Sequence, residues 1–204
     1  ELVNVLLDKL EIIDNMFNDF DYSNFKELDN TGKYHLIKDG ANLMLATEDT
    51  KRRYLKHSQD VKNLYTLCNG VVSNLVKDKC LFIISVKSFI SKITNTGKLD
   101  VSEINNTVGK LLEDAIHEDE LLNLGELTRG NSLELLSDSI LSKLRAMKDK
   151  NVAAEVLSRA IKTTIGDIGK INLTLQEKFS TKFNKIIDMY NERTDIADIE
   201  KIIE

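Results

Sequence analysis

Proline is absent from all 204 residues of the chain. An average usage of about 5% would give about ten prolines in a chain of this length. Because proline removes a helix hydrogen bond and its ring clashes with the preceding turn, its absence favours long, uninterrupted helices. Tryptophan is absent as well, and aromatic residues make up only 6% of the chain, so the core has to be built mainly from Leu, Ile and Val. The sequence therefore predicts an all-α fold, an irregular multi-helix bundle of about seven to nine helices.

Apolar residues in the first part of the chain recur at alternating spacings of three and four, the repeat of one helix face. The first such stripe consists of Val3, Leu6, Leu10, Ile13 and Phe17. After the polar, turn-prone residues 18–32, a second helix is predicted over 34–46. Thr47, followed by two acidic residues, is predicted to cap a third helix that Asn69-Gly70 ends.

The most apolar stretch, residues 80–93, is predicted to be the central helix of the bundle. Its run 81–86 alone would also suit a buried strand, but the three-four spacing continues beyond that run without a turn signal. Asp100 and Glu103 have the spacing of a capping box, which predicts a further helix to about Glu118.

The helical pattern weakens over residues 119–136, where glycines and acidic residues interrupt it. It resumes at Ser137 and continues to Gly169, and a last long helix follows with Thr174 and Glu177 as its capping pair. The predicted buried stripe of that helix is Leu175, Phe179, Phe183, Ile186 and Tyr190. We therefore predict helical lobes that either stay separate or pack as one domain, with an N-terminal lobe at 1–118, a linker or long loop at 119–136 and a C-terminal lobe at 137–204.

Motifs that carry catalysis or ligand binding are missing. The chain lacks the phosphate loop GxxxxGK[ST], the dinucleotide motif GxGxxG and any CxxC pair. Its three histidines are too scattered for metal-ligand spacing, and its paired carboxylates lack the Glu-x-x-His partners of a di-metal bundle. We therefore predict no catalytic residue, no cofactor site and no metal site in this chain. A stand-alone helical enzyme is the least favoured hypothesis for its function.

Cysteine usage and hydropathy bear on location. Cys68 and Cys80 are too few for a disulfide framework, and we predict that they are small buried hydrophobes in a reducing compartment. The sequence contains neither a signal peptide nor a membrane-spanning run, so we expect a cytoplasmic protein without membrane contact. Because the chain starts at Glu1 without methionine and stops within an apolar pattern at 202–203, we expect it to be a fragment of a larger protein.

Basic residues are concentrated in the last third of an otherwise acidic chain. Residues 143–185 carry ten Lys or Arg and four Asp or Glu, a net charge of +6 against −5 for the whole chain. Such asymmetry marks a candidate contact with an acidic protein or a polyanion. The residues predicted to make this contact are Lys170, Lys178, Lys182, Lys185 and Arg193. Three of them, on the last helix, are predicted to lie opposite its apolar stripe, where they would equally form an ordinary solvated face.

Several segments resemble one family. The stretch 150–157 (KNVAAEVL), then Lys178-Phe179 with later apolar positions, and finally the segment 190–194 (YNERT) are similar to the C-terminal helical region of the restriction (R) subunit of type I restriction-modification enzymes. The earlier segments 40–55 and 65–68 resemble the preceding part of that region. The chain departs from the family pattern at 165–173, where two glycines and an aspartate stand in place of an expected basic run.

The resemblance implies a specific role in bacterial defence by DNA restriction. The parent subunit would be an ATP-dependent type I site-specific deoxyribonuclease that uses ATP and Mg²⁺, while this piece would hold neither. Its helices would form a docking or assembly domain that joins the DNA translocase and endonuclease to the methyltransferase core, with the methyltransferase and specificity subunits as partners and DNA reached through the parent complex. The alternative is a helical domain that contacts the DNA backbone through the basic last third.

Overall fold

The computed structural model describes residues 1–94 and 137–192, which contain seven α-helices and no strand. The predicted all-α fold class is confirmed. The helices are α1 (Leu2–Phe17), α2 (Asn30–Met44), α3 (Glu48–Cys68), α4 (Asn74–Thr94), α5 (Asp138–Ala146), α6 (Lys150–Gly169) and α7 (Leu173–Glu192). The described residues fall into two compact units, the first containing α1 to α4 and the second α5 to α7. The predicted linker and the predicted capping box at Asp100 both lie outside the described residues, so the domain boundaries stay a prediction.

Helix α1 forms on the predicted stripe. Leu6, Leu10, Ile13 and Phe17 are all buried, while Asp8, Glu11 and Asn15 between them are exposed. The helix packs against α3, and Lys9 Nζ lies 2.8 Å from Asp60 Oδ2 of α3 at the edge of this contact. Burial of one apolar face at a period of 3.6 residues therefore explains both the helix and its orientation.

The start and the end of α3 lie where the sequence predicts them. Thr47 Oγ1 accepts a hydrogen bond from the Thr50 N–H at 3.1 Å, and Glu48 and Asp49 occupy the first turn. The side chain satisfies one of the free amide groups at the helix start, and the two carboxylates favour the positive end of the helix dipole. The helix ends at Cys68, directly before Asn69-Gly70.

The apolar stretch 80–93 lies entirely within helix α4, so residues 81–86 do not form the strand that was the alternative prediction. Side chains on more than one of its faces are fully buried, among them Phe82, Ile83, Val86 and Phe89. Phe82 is the centre of an aromatic cluster. Its ring centroid lies 4.4 Å from that of Tyr22 in a stacked arrangement and 5.3 Å from that of Phe25.

The connection between α1 and α2 contributes to this core. Residues 18–32 were predicted only as a polar, turn-prone segment, but Tyr22 and Phe25 within it are buried against Phe82. Asp29 caps α2 by accepting from the Gly32 N–H at 2.7 Å. The isolated aromatic residues have no helical spacing, so only the ring packing identifies them as core residues.

Gly40 lets α2 approach two other helices of the first unit. A Cβ atom at this position would lie 3.0 Å from Phe82 Cζ, 3.3 Å from Val86 Cγ2 and 3.4 Å from Phe17 Cε1. The two shorter distances are tighter than most carbon–carbon contacts, so a side chain at Gly40 would require Phe82 or Val86 to shift by a few tenths of an ångström.

The second unit departs from its prediction in two details. Helical spacing was predicted to run unbroken from Ser137 to Gly169, but α5 ends at Ala146, and Met147 is extended with φ −61° and ψ 136°. The predicted cap Thr174 is also wrong, because the Leu175 N–H donates to Asn172 Oδ1 at 3.0 Å. Asparagine is at least as good an N-cap as threonine, and a helix that begins at Leu173 leaves Asn172 in the capping position.

Candidate docking surface on the last helix

Helix α7 packs against α6 after a tight turn. A Cβ atom at Gly169 would lie 2.3–2.5 Å from the end of the Gln176 side chain, so the end of α6 lies beside the first turn of α7, and a larger residue at this position would displace that flexible side chain. The Asn172 side chain then caps α7. The end of α6 and the capped start of α7 therefore lie close together.

Among the residues that the structure describes, only a narrow edge of α7 is buried. Phe183 and Tyr190, seven residues apart, are buried. Lys162 Nζ of α6 lies 5.9 Å from the ring centroid of Phe183, a cation–π contact between the two helices. The start of α6 contributes its buried small and branched residues Val152, Ala153, Ala154 and Val156 to the core of the same unit.

The rest of the predicted buried stripe is partly exposed, so the prediction that these residues are buried is wrong. Leu175, Phe179 and Ile186 are 38%, 40% and 41% exposed, and Met189 is 60% exposed. Apolar periodicity identifies the residues that share a helix face, but it does not determine whether this chain covers that face. Four large apolar side chains in a row on one exposed helix face are unusual for a surface that stays in water.

The exposed residues of α7 form a regular seam. Positions 175, 179, 182, 186 and 189 follow each other at spacings of four, three, four and three, which places them on one line along the helix. Four of these positions are apolar and the middle one is Lys182. We define this line, Leu175, Phe179, Lys182, Ile186 and Met189, as the α7 seam. It extends over roughly 21 Å of helix axis at about 1.5 Å per residue.

The predicted contact residues are distributed as follows. Lys178 and Lys185 are exposed and lie along one side of the α7 seam, and Lys182 lies within it, so the prediction that these lysines face away from the apolar residues is wrong. Lys170 follows the last residue of α6 and pairs with Asp167 at 2.6 Å. Arg193 lies outside the described residues. The structure therefore places three of the five predicted residues together on α7 and assigns Lys170 a local ion pair.

Titratable groups elsewhere serve the packing of the first unit. Asp14 accepts a hydrogen bond from the Tyr22 hydroxyl, and Lys79 Nζ lies 2.6 Å from its other oxygen. Burial, together with the neighbouring Asp14 carboxylate, raises the pKa of Tyr22. These contacts tie α1, the α1–α2 connection and α4 together.

The two cysteines are buried and free, as predicted. Burial raises the pKa of Cys80 to about 12, so its thiol is protonated at neutral pH and is a poor nucleophile. His57 has a lowered pKa, first because of burial and then because of Lys9. Within residues 1–94 and 137–192, no group of three or more His, Cys, Asp or Glu side chains could hold a metal ion. In the same residues, no helix is both long enough and apolar enough to cross a membrane.

Comparison with known proteins assigns the chain to a family. The model of the family described as type I restriction enzyme HindI endonuclease subunit-like, C-terminal, matches residues 1–204. The chain belongs to this family. The resemblance found in its helical segments is thereby confirmed, and the chain is a C-terminal domain of a type I restriction endonuclease subunit.

A relative of this restriction family extends the comparison. The chain is 23% identical over 186 residues to a protein from Methanocaldococcus jannaschii whose name assigns it to the type I restriction enzyme MjaIXP as endonuclease subunit. The match covers 89% of this chain and 18% of that protein, so the chain spans less than a fifth of the relative's length. No solved structure matches the chain.

Proposed function

We propose that this restriction-family domain is a non-catalytic docking module that joins the DNA translocase and endonuclease of its parent subunit to the methyltransferase core of the complex. The observation that carries the proposal is the α7 seam, which α5 and α6, the other described helices of the second unit, leave exposed although four of its five positions are apolar. In a subunit of a multi-subunit enzyme, an exposed apolar face of this kind fits a protein contact.

The chemistry of the buried polar groups supports a structural role. Ser58 donates to the Tyr54 carbonyl at 2.7 Å, Ser85 to the Leu81 carbonyl at 2.7 Å and Thr164 to the Ala160 carbonyl at 3.0 Å. Each hydroxyl is thus used within its own helix. Protonated Cys80 adds no nucleophile. Catalysis needs a base, a nucleophile or a metal within reach of a substrate, and the described residues supply buried groups that are engaged in packing.

The remaining properties of the proposed assembly follow from the family. We expect ATP and Mg²⁺ to bind to other domains of the parent subunit, the methyltransferase and specificity subunits to be the partners, DNA to be reached through the whole complex, and the complex to work in the cytoplasm.

The experiment is an assembly assay with the intact subunit that contains these residues. The subunit is mixed with its purified methyltransferase and specificity subunits, and complex formation is followed by size-exclusion chromatography with light scattering. A subunit that lacks residues 1–204 is expected to elute alone while keeping DNA-stimulated ATP hydrolysis, which shows that its motor is still folded. Normal assembly of the shortened subunit would disprove the docking function.

A DNA-backbone contact is the second candidate, and the exposure of Lys178, Lys182 and Lys185 favours it. Lys170, Lys178, Lys182, Lys185 and Arg193 would then neutralise phosphates, and each lysine removed would lower the salt dependence of binding by about one counterion. Duplex DNA is titrated into the intact subunit and into a variant with these five residues changed to glutamine. Identical salt dependence of the two proteins would eliminate this candidate.

A further inference from the structure

We infer that the α7 seam is one half of a two-helix contact whose other half is an amphipathic helix with acidic edges on a partner subunit. The inference deepens the proposed docking function and rests on it. It specifies the surface that docks and the chemistry of the helix that the surface receives.

The spacing of the seam specifies a helix as the partner. Apolar residues at alternating spacings of three and four form the line along which two α-helices pack, with each side chain inserted between side chains of the other helix. Leu175, Phe179, Ile186 and Met189 occupy such positions over two heptads of α7. A globular surface or an extended peptide does not require this repeat, whereas a second helix matches it at every turn.

Charge specifies the edges of that helix. Lys178 and Lys185 lie seven residues apart beside the seam, at positions that face the flank of a paired helix. Both are exposed, and neither forms an ion pair within residues 1–94 and 137–192. Carboxylates on the facing flank would pair with them, while lysines there would repel them.

Lys182 makes the seam selective. A lysine at a seam position lowers the stability of a helix pair and fixes its register, because its ammonium group needs a polar or acidic residue directly opposite it on the other helix. The partner helix should therefore be apolar along its seam except for one acidic or polar residue that meets Lys182. An entirely apolar helix would bury this charge without compensation.

The same charges argue against two other occupants. A second copy of this chain would bring another Lys178, Lys182 and Lys185 to the contact, and the positions that would face Lys178 and Lys185 in a parallel pair are Phe183 and Tyr190, neither of them acidic. DNA would accept the lysines but would leave the four apolar side chains of the seam in water.

The test uses synthetic helix-stabilised peptides of about three heptads as probes. The acidic peptide carries leucine at its seam positions, one central seam glutamate and glutamate along both flanks. The matched basic peptide carries lysine at every glutamate position. Binding to the intact subunit is measured by fluorescence anisotropy at low salt, and we expect the acidic peptide to bind at least about tenfold more tightly than the basic one.

Two variants separate the contributions of charge and apolar surface. The triple variant Lys178→Glu, Lys182→Glu, Lys185→Glu changes exposed residues only and should reverse the peptide preference, a result that loss of folding cannot produce. Ile186→Asp should weaken binding of the acidic peptide at least about tenfold. Leu67→Asp is the matched control, because Leu67 is 70% exposed on α3 and should leave binding unchanged.

Several results would overturn the inference. Three concern the peptides: equal binding of both, no binding of either, or a triple variant that keeps the original preference. Two concern other occupants: displacement of the acidic peptide by duplex DNA, or a subunit dimer in light scattering that Ile186→Asp dissociates. The last two would assign the seam to DNA and to a second copy, respectively.

Failure of the inference is distinguishable from failure of the docking function. If Ile186→Asp and the triple variant both assemble normally with the methyltransferase core, the α7 seam is not the docking surface, although the domain can still dock through another face. If the unmodified subunit never joins the core but binds the acidic peptide with the expected reversal, the docking function is wrong and the seam accepts a helix from a different protein.

Discussion

Replacing Gly40 with alanine tests the packing of the first unit most directly, because two effects of known size oppose each other. Alanine in the interior of a helix is favoured over glycine by up to about 1 kcal/mol. The new methyl group, however, would lie 3.0 Å from Phe82 Cζ and 3.3 Å from Val86 Cγ2. Both side chains are fully buried, and Phe82 is also held by Tyr22 and Phe25, so neither can move away freely.

Forcing an extra methyl group into a filled core costs about 1–3 kcal/mol. Subtracting the gain in helix propensity leaves a net destabilisation of about 1 kcal/mol for Gly40→Ala. With a urea dependence of about 1–2 kcal/mol per molar, the unfolding midpoint should fall by roughly 0.5–1 M. Gly40→Val adds two more methyl groups and should cost about 3 kcal/mol or more.

Tyrosine fluorescence during urea unfolding is the suitable assay, because the chain has no tryptophan and four of its five tyrosines belong to the first unit. Gly166→Ala is the matched control. Gly166 is also inside a helix, but its Cβ would meet nothing within 4 Å, so this change should stabilise its own unit by about 0.5–1 kcal/mol, measured by far-UV circular dichroism. If Gly40→Ala were as stabilising as Gly166→Ala, the close helix approach at Gly40 would be refuted.

Three further predictions concern single side chains. The pKa of His57 is lowered in the folded protein, so below the reference pKa of 6.5 the unfolded chain binds more protons than the folded protein, and the free energy of unfolding should fall as the pH decreases through that window. His57→Gln should flatten this part of the stability profile, and identical profiles of the two proteins would refute the prediction. Tyr54→Phe removes the 2.9 Å hydrogen bond to the Ile83 carbonyl and should cost about 1 kcal/mol in urea unfolding; an unchanged midpoint would show that this buried bond contributes nothing. Asn172→Ala removes the cap on the Leu175 N–H and should cost about 1 kcal/mol, visible as faster amide exchange in the first turn of α7, whereas equal exchange rates would mean that another group caps the helix.

Local sequence signals predicted those features that depend on neighbouring residues. Thr47 was identified as a cap because its hydroxyl needs only the amide three residues later, and α1 was identified because four of its apolar residues lie on one face. These interactions are complete within a few turns, so their residues carry the whole signal.

Features that depend on distant residues escaped prediction. Tyr22 and Phe25 belong to the core only because Phe82, far along the chain, receives their rings. Asn172 and Thr174 are both good cap residues, so the sequence alone does not determine which of them caps α7, whereas the structure places Asn172 in that position. The end of α5 before Met147 was not predicted because no glycine or proline marks it in the sequence.

The candidate site was predicted in part for the same reason. Charge clustering identified Lys178, Lys182 and Lys185 from composition alone. Their relation to the apolar residues was missed because the whole stripe of α7 was assumed to be buried. The exposure of Phe179 and Ile186 depends on how much of α7 the unit covers, which is a property of tertiary packing and not of periodicity.

The aromatic cluster around Phe82 also has a consequence for synthesis on the ribosome. Phe17, Tyr22 and Phe25 leave the exit tunnel long before Phe82, yet their rings pack against it. Until α4 emerges, the nascent chain therefore presents these rings without their native partner, and the first unit completes its folding only after α4 has left the ribosome. Apolar surface exposed in this way on an incompletely folded unit is prone to aggregation.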